Sequence, residues 1–249
     1  MAQGDIAQHL TNWHVGHGFW TFDLDTIFMG WALAAVLVIT SMVVGRKLVS
    51  GAPTGMQAWL EGVVEFIDNL VTDSFPVRDP LIAPVALTVF LWILLMNSMD
   101  VIPAYLPGIV AHWFGLPEFR ITPTVNLNTT LGVAIAVFLL SLFTSLRVKG
   151  FAYFKTYLTH PFGPWLFPLN IVMTLIEEIT KPLSLGLRLF GNMFAGELVF
   201  LLLVLLPWWG ETLLGVVWSS FESLIIMLQA FIFTVLTVVY LGMANMQEH

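Results

Sequence analysis

Arg188 stands inside the apolar run LSLGLRLFGNMFAGELVFLLLVLL, Leu183 to Leu206. An arginine at the centre of a membrane-length helix costs about 2.5–3.5 kcal/mol on insertion scales, so its presence asks for a function. The guanidinium stays protonated at physiological pH and cannot escape that cost by neutralising. Gly186, Gly191, Ala195 and Gly196 surround it, small residues that let a second helix approach the backbone. Asn192 follows at i+4 and shares its face. A permanent charge on a close-contact surface points to a partner carrying the opposite charge. The structural alternative is a local ion pair with Glu177, Glu178 or Glu197. Of these, Glu197 faces about 180° away on a helix and cannot simply neutralise it.

On the last apolar segment Glu222, Gln229 and Tyr240 fall within about 20° of one another on a helical wheel, a polar stripe on an apolar surface. For Glu222 and Gln229 the functional reading is a hydrated ion path, and the structural one is hydrogen bonding between helices. Glu197 and Glu222 lie at similar distances from the PWWG motif at Pro207–Gly210, which places them at similar depth if the two segments run antiparallel. If they meet, both carboxylates cannot ionise cheaply and the pair would share one proton as a relay. If they stay apart, each hydrates its own stretch of path. Asn97 and Asp100, in MNSMD, either line an aqueous entry or cap a helix end. Glu177, Glu178 and Lys181 cluster within one turn, and Glu177 with Lys181 has the i, i+4 spacing of an ordinary helix pair. Glu211 reads as solvated.

No substrate chemistry emerges. The chain has no phosphate-binding glycine loop, no nucleophile beside a base and no histidine pair on a helix face. It has no cysteine, which excludes disulfides and thiolate metal sites. His9, His14 and His17 lack ligand spacing, so neither a metal nor a cofactor is expected. A net charge of −7 leaves no basic patch for nucleic acid.

The elements that position these groups follow from hydropathy. Of 249 residues, 58% are hydrophobic and 10% charged, with mean hydropathy +0.88. That composition describes a polytopic membrane protein. Residues 1–26 read as an outer polar tail without lysine or arginine, the reverse of a signal peptide. Spans are expected at 27–45, 80–101 and 126–146. Residues 54–75 form an amphipathic surface helix, opened by a Thr54–Gln57 capping-box pattern, with Met56, Trp59, Leu60, Val63, Phe66, Ile67 and Leu70 at helical spacing. Its polar side carries Glu61, Glu65 and Asp68, so it suits packing on other helices or a protein better than adsorption to anionic lipid. Segments 168–206 and 211–245, the first interrupted by Pro182, are too long for upright spans. A helix of about 37 residues reaches roughly 55 Å against a hydrocarbon core of about 30 Å, so a tilted antiparallel hairpin is expected. The fold class is all-α: five membrane helices plus one surface helix in a single domain. Arg46, Lys47 and Arg78, then Arg147, Lys149 and Lys155, flank two cytoplasmic segments, putting the amino terminus outside and the carboxyl terminus inside.

SLGLRLFGNMFAGE at 184–197, with LQAFIFTVLTVVYL at 228–241, resembles subunit a of the bacterial rotary ATP synthase membrane sector. The likeness extends through LWILLMNSMDVIPAYLP at 91–107 and is weak over the first fifty residues. It implies an ion-translocating stator in the bacterial cytoplasmic membrane, working beside a c-ring of subunit c and the subunit b peripheral stalk, surrounded by lipid. Arg188 matches the family's essential arginine, which attracts a deprotonated ring carboxylate and separates two half-channels. Asn192 and Gln229 match polar neighbours of that contact, and Glu197 and Glu222 match outer half-channel positions. Asn97, Asp100, Glu177, Glu178 and Tyr240 are further candidate channel-lining residues. Many relatives carry histidine where this chain has Glu222.

Two other classes compete. A secondary transporter would bind solute midway between inverted repeats with broken helices, and neither appears. A membrane enzyme would need a catalytic set. The ion is read as a proton, since nothing suggests a dedicated sodium site.

Overall fold

The computed structural model describes residues 14–16, 22–48, 55–74, 79–102, 121–150, 153 and 162–245. Six α-helices run through them: α1 (Leu24–Arg46), α2 (Met56–Ser74), α3 (Ile82–Ser98), α4 (Leu127–Lys149), α5 (Phe167–Leu203) and α6 (Trp208–Asn245). A two-residue antiparallel pair, β1 (His14–Val15) and β2 (Phe22–Asp23), precedes them. All but α2 are long and apolar enough to cross a membrane, α3 counted with the 3-10 turn Met99–Val101 that extends it. The expected five-plus-one arrangement is therefore the observed one. His9, His17, Thr54, Arg78, Lys155 and most of the proline-rich loop after residue 102 lie outside the described residues.

The chain forms two compact units. One gathers residues 1–49, 91–129 and 189–230; the other gathers 50–90, 130–188 and 231–249. In the first, Val125, Met193 and Ile226 make a buried apolar core flanked by Leu94, Phe194 and Ile225. Asn126 caps α4 by accepting the Asn128 backbone N–H at 2.9 Å. Its amide also donates to Asp23, tying the start of α1 to the start of α4. Asp25 and Thr26 are buried, so the polar tail expected to reach residue 26 gives way to helix at Leu24.

In the second unit α2 packs through Phe66, whose ring centroid lies 6.1 Å from those of Phe90 and Phe231. Ile67 beside it is 1% exposed, whereas Glu61, Glu65 and Asp68 are exposed. An amphipathic helix too polar to span thus sets part of its apolar stripe against neighbouring helices, with Ile67 buried and Trp59 and Phe66 still exposed. Gln57 donates to Glu61 at 2.7 Å, one turn ahead.

Pro182 does not end its helix; α5 continues through it for 37 residues. Proline inside a membrane helix is tolerated where neighbours hold the segment, and Leu185 and Leu189 just beyond are buried. The turn falls at Val204–Pro207, earlier than the PWWG motif suggests, because Trp208 and Trp209 already belong to α6. Proline disfavours helix at the residue before it yet suits a helix start, where its missing N–H has no partner to lose. Both tryptophans are exposed, at 79% and 62%, as befits a membrane–water interface.

Candidate functional site

α5 has two unlike faces. Arg188, Gly191, Asn192, Ala195, Leu198 and Leu202 are exposed, recurring every three or four residues. Leu185, Gly186, Leu189, Met193 and Gly196 are buried on the other side. The four small residues around Arg188 therefore divide. Gly191 and Ala195 share the open face with the arginine, while Gly186 and Gly196 admit close contacts inside the chain. A Cβ at Gly186 would lie 2.8 Å from the Leu131 side chain and 3.2 Å from the Thr130 carbonyl oxygen. The local neutralisation considered for Arg188 does not occur: among the described residues no ion pair involves it. Glu178 pairs instead with Lys181, and Glu197 is half-buried nine residues along the helix.

Polar groups join α5 to α6. The Asn192 amide donates to Gln229 Oε1 at 2.8 Å. Gln229 is 2% exposed, and its own amide nitrogen has no hydrogen-bond partner among the described residues. Two turns earlier on α6, Glu222 is fully buried and pressed against Gly196. A side chain at 196 would put its Cβ 2.8 Å from the carboxyl carbon of Glu222. The Asp100 and Trp218 side chains approach that carboxyl, though neither of its oxygens has a hydrogen bond of ordinary geometry among the described residues.

Sequence reasoning left open whether Glu197 meets Glu222. The structure sets Glu222 against Gly196 and brings Asp100, at the end of α3, near its carboxyl. Asn97, one turn before Asp100, is fully buried with neither amide atom bonded among the described residues, and the buried Thr124 hydroxyl is in the same state. So is one carboxyl oxygen of Asp25. Native proteins leave few such atoms, and those they leave are usually met by water or by a functional role. Asp25, Thr124 and Trp218 were not singled out from sequence. Asp25 carried a signal all the same: a carboxylate opening an apolar helix.

Glu178 and Tyr240 come together in the second unit, lining one cavity of about 150 Å³ with Lys149, Tyr153 and Lys181. Lys181 pairs with Glu178 at 2.8 Å. The pairing expected with Glu177 does not form; Glu177 is exposed, while Glu178 turns towards Tyr153, whose hydroxyl lies 3.4 Å away. Tyr240 is half-buried, and its backbone carbonyl accepts from Ser141 at 3.1 Å.

The site yields a sharp steric expectation. Gly196→Ala should push the Glu222 carboxyl off its position, since a contact under 3 Å forces one group to move, and so slow several-fold any transfer in which that carboxyl takes part. Shortening residue 222 in the same background, as Gly196→Ala with Glu222→Ala, should relieve the clash but not restore the rate. A normal rate with Gly196→Ala alone would show that this contact is dispensable.

The family model described as ATP synthase A chain matches residues 27–242. The chain is 48% identical over 244 residues to ATP synthase subunit a of Alkalilimnicola ehrlichii, covering 98% of this chain and 96% of that one. It is 47% identical over 246 residues to ATP synthase subunit a 1 of Methylococcus capsulatus, with 98% and 95% covered. Against ATP synthase subunit a of Psychromonas ingrahamii it is 45% identical over 265 residues, with 100% and 99% covered.

Proposed function

Because the chain belongs to the ATP synthase A chain family, we propose that it carries protons to and from a rotating ring of carboxylates, with Arg188 keeping two half-channels apart. It is a multi-pass membrane protein and a member of the ATP synthase complex. The observation that carries the reading is the open face of α5: an exposed guanidinium without an ion pair among the described residues, beside Gly191, Asn192 and Ala195. Such a charge suits a partner helix bearing a carboxylate, held close by small residues. In the ring, each carboxylate would release its proton on arriving at Arg188, pass as an anion and be reprotonated on the other side. Transfer across the membrane potential is worth about 2.3 kcal/mol per charge for each 100 mV.

The buried polar atoms of Asn97, Asp100, Thr124, Glu222 and Gln229 support a hydrated outer half-channel. Glu222 is its deepest carboxylate, and Asp100 the group with which it exchanges protons. Glu197 borders the same path. Asn192 and Gln229 hold the two long helices in register beside the arginine. Glu177, Glu178 and Tyr240 belong on the cytoplasmic side. The distribution of lysine and arginine supports an amino terminus outside and a carboxyl terminus in the cytoplasm. The bacterial cytoplasmic membrane is the proposed location, with subunit b bracing the stator as a peripheral stalk.

Two experiments test the ring contact. In mild detergent the chain should co-purify with a c-ring and a catalytic head; isolation as a free transporter would sink the assignment. Cysteines at Asn192 and on a ring helix should cross-link, and no cross-link at any rotor position would contradict the face chosen here. Bulk on that face should matter more than bulk elsewhere. Gly191→Leu or Ala195→Leu is expected to lower coupled ATP synthesis by about fivefold to a hundredfold, because core overpacking costs about 1–3 kcal/mol and each 1.36 kcal/mol is about tenfold in rate. Exchanging Leu202, on the same face but two turns further on, for methionine should leave synthesis within about twofold, since volume-conserving swaps are tolerated best.

A further inference from the structure

The cavity beside Lys149 and Lys181 includes Glu178 and Tyr240, placed above on the cytoplasmic side, but the proton path argued above makes no use of its two lysines. It lies wholly within the second unit, where the end of α4, the early turns of α5 and the end of α6 line it. Two lysines from different helices, Lys149 and Lys181, are among its lining residues, against one carboxylate, Glu178. Ser145 and Tyr240 line it as well, with Ser141, whose hydroxyl donates to the Tyr240 carbonyl at 3.1 Å, and Tyr153, whose hydroxyl lies 3.4 Å from Glu178. Glu178 is already taken by Lys181 at 2.8 Å.

Lys149 is the informative group. Its ammonium carries three protons and lies 3.4 Å from the Met243 carbonyl oxygen, a long contact. A lysine capping the end of α6 would account for the position. It does not account for the room in front of it, since a simple cap closes on its carbonyl at about 2.9 Å. Gly150, at φ +55, takes the left-handed conformation that stops α4 immediately after Lys149.

We propose that this cavity binds a phosphate oxyanion, that of an anionic phospholipid headgroup. A volume of about 150 Å³ accommodates a phosphate group but not a whole lipid. Next to it α4 exposes Leu139, Phe143 and Leu146, an apolar surface along which acyl chains can lie. Basic recesses between membrane helices are known to take anionic headgroups, each lysine near the surface contributing a roughly fivefold effect on binding. The bound lipid would tie the ends of α4 and α6 to α5 by bridging Lys149 and Lys181.

The test uses the intact complex, purified in mild detergent and reconstituted with a photoactivatable phosphatidylglycerol. Labelling of this chain at the cavity residues, mapped by mass spectrometry, is expected. Lys149→Gln and Lys181→Gln should each lower it about fivefold, whereas Lys149→Arg, which keeps the charge, should retain it. Arg147→Gln, an exposed neighbour on α4, should leave it unchanged, which separates a site from general attraction to the membrane surface. Millimolar inorganic phosphate that displaces the probe would reassign the site to free phosphate, overturning the lipid and keeping the oxyanion. Equal labelling in the wild type and both glutamine variants, with the complex intact, would overturn the site altogether. Because labelling is read on the chain itself, the result is independent of proton translocation.

Discussion

Replacement of Arg188 by alanine is expected to abolish proton-driven ATP synthesis and ATP-driven pumping while the complex still assembles. The side chain is exposed on the isolated chain and has no ion pair among the described residues, so its loss breaks no internal pair. On the proposed function, what it removes is the counter-charge for a ring carboxylate. Taking one partner from a buried charge pair costs about 3–5 kcal/mol, at least about a hundredfold in rate. Glutamine, similar in size and uncharged, should fare no better. Lysine should rescue only in part, because a compact, strongly hydrated ammonium does not reproduce a planar guanidinium that donates in several directions. The measurement is ATP synthesis by inverted vesicles under an imposed proton gradient, with complex assembly followed on native gels. Near-normal synthesis with Arg188→Ala would falsify the role assigned here.

The second large effect belongs to Glu222. Glu222→Gln keeps the shape that fits against Gly196 but removes the carboxyl proposed to exchange protons. Since a positioned acid–base group contributes typically about 10²–10⁴-fold, proton-driven synthesis should fall by about a hundredfold. Asp100→Asn should have a smaller effect of the same kind. The informative variant is the double one. If the two carboxyls pass a proton between them, Glu222→Gln with Asp100→Asn should be little worse than Glu222→Gln alone, because groups acting as a unit are not additive. Infrared difference spectra give an independent reading: Asp100→Asn should shift the carboxyl band of Glu222, and Glu197→Gln should leave it in place. Multiplicative losses with unshifted bands would mean that each carboxyl hydrates the path on its own. A band that moves with Glu197→Gln instead would restore the partner weighed from sequence.

Hydropathy and spacing alone determined much of this protein. The count of apolar helices, the surface character of α2 and the excess length of the last two helices follow from how many residues bury how much backbone in a membrane of fixed thickness. The face shared by Arg188 and Asn192 follows from helical periodicity, a local rule that needs no tertiary contact. Partner choice was the business of the tertiary structure. Glu222 lies against Gly196 with Asp100 near it, and Lys181 takes Glu178, at i, i+3, over Glu177 at i, i+4. Gly186 and Gly196 serve contacts within the chain, whereas Gly191 and Ala195 remain open to a partner. Each of these outcomes depends on where the chain turns between α5 and α6 and on what a distant helix brings to the same depth. A shift of one residue moves a side chain about 100° around its helix. Wheel positions and distances from a turn motif therefore define which groups share a face, and only packing between helices far apart in sequence decides which of them meet.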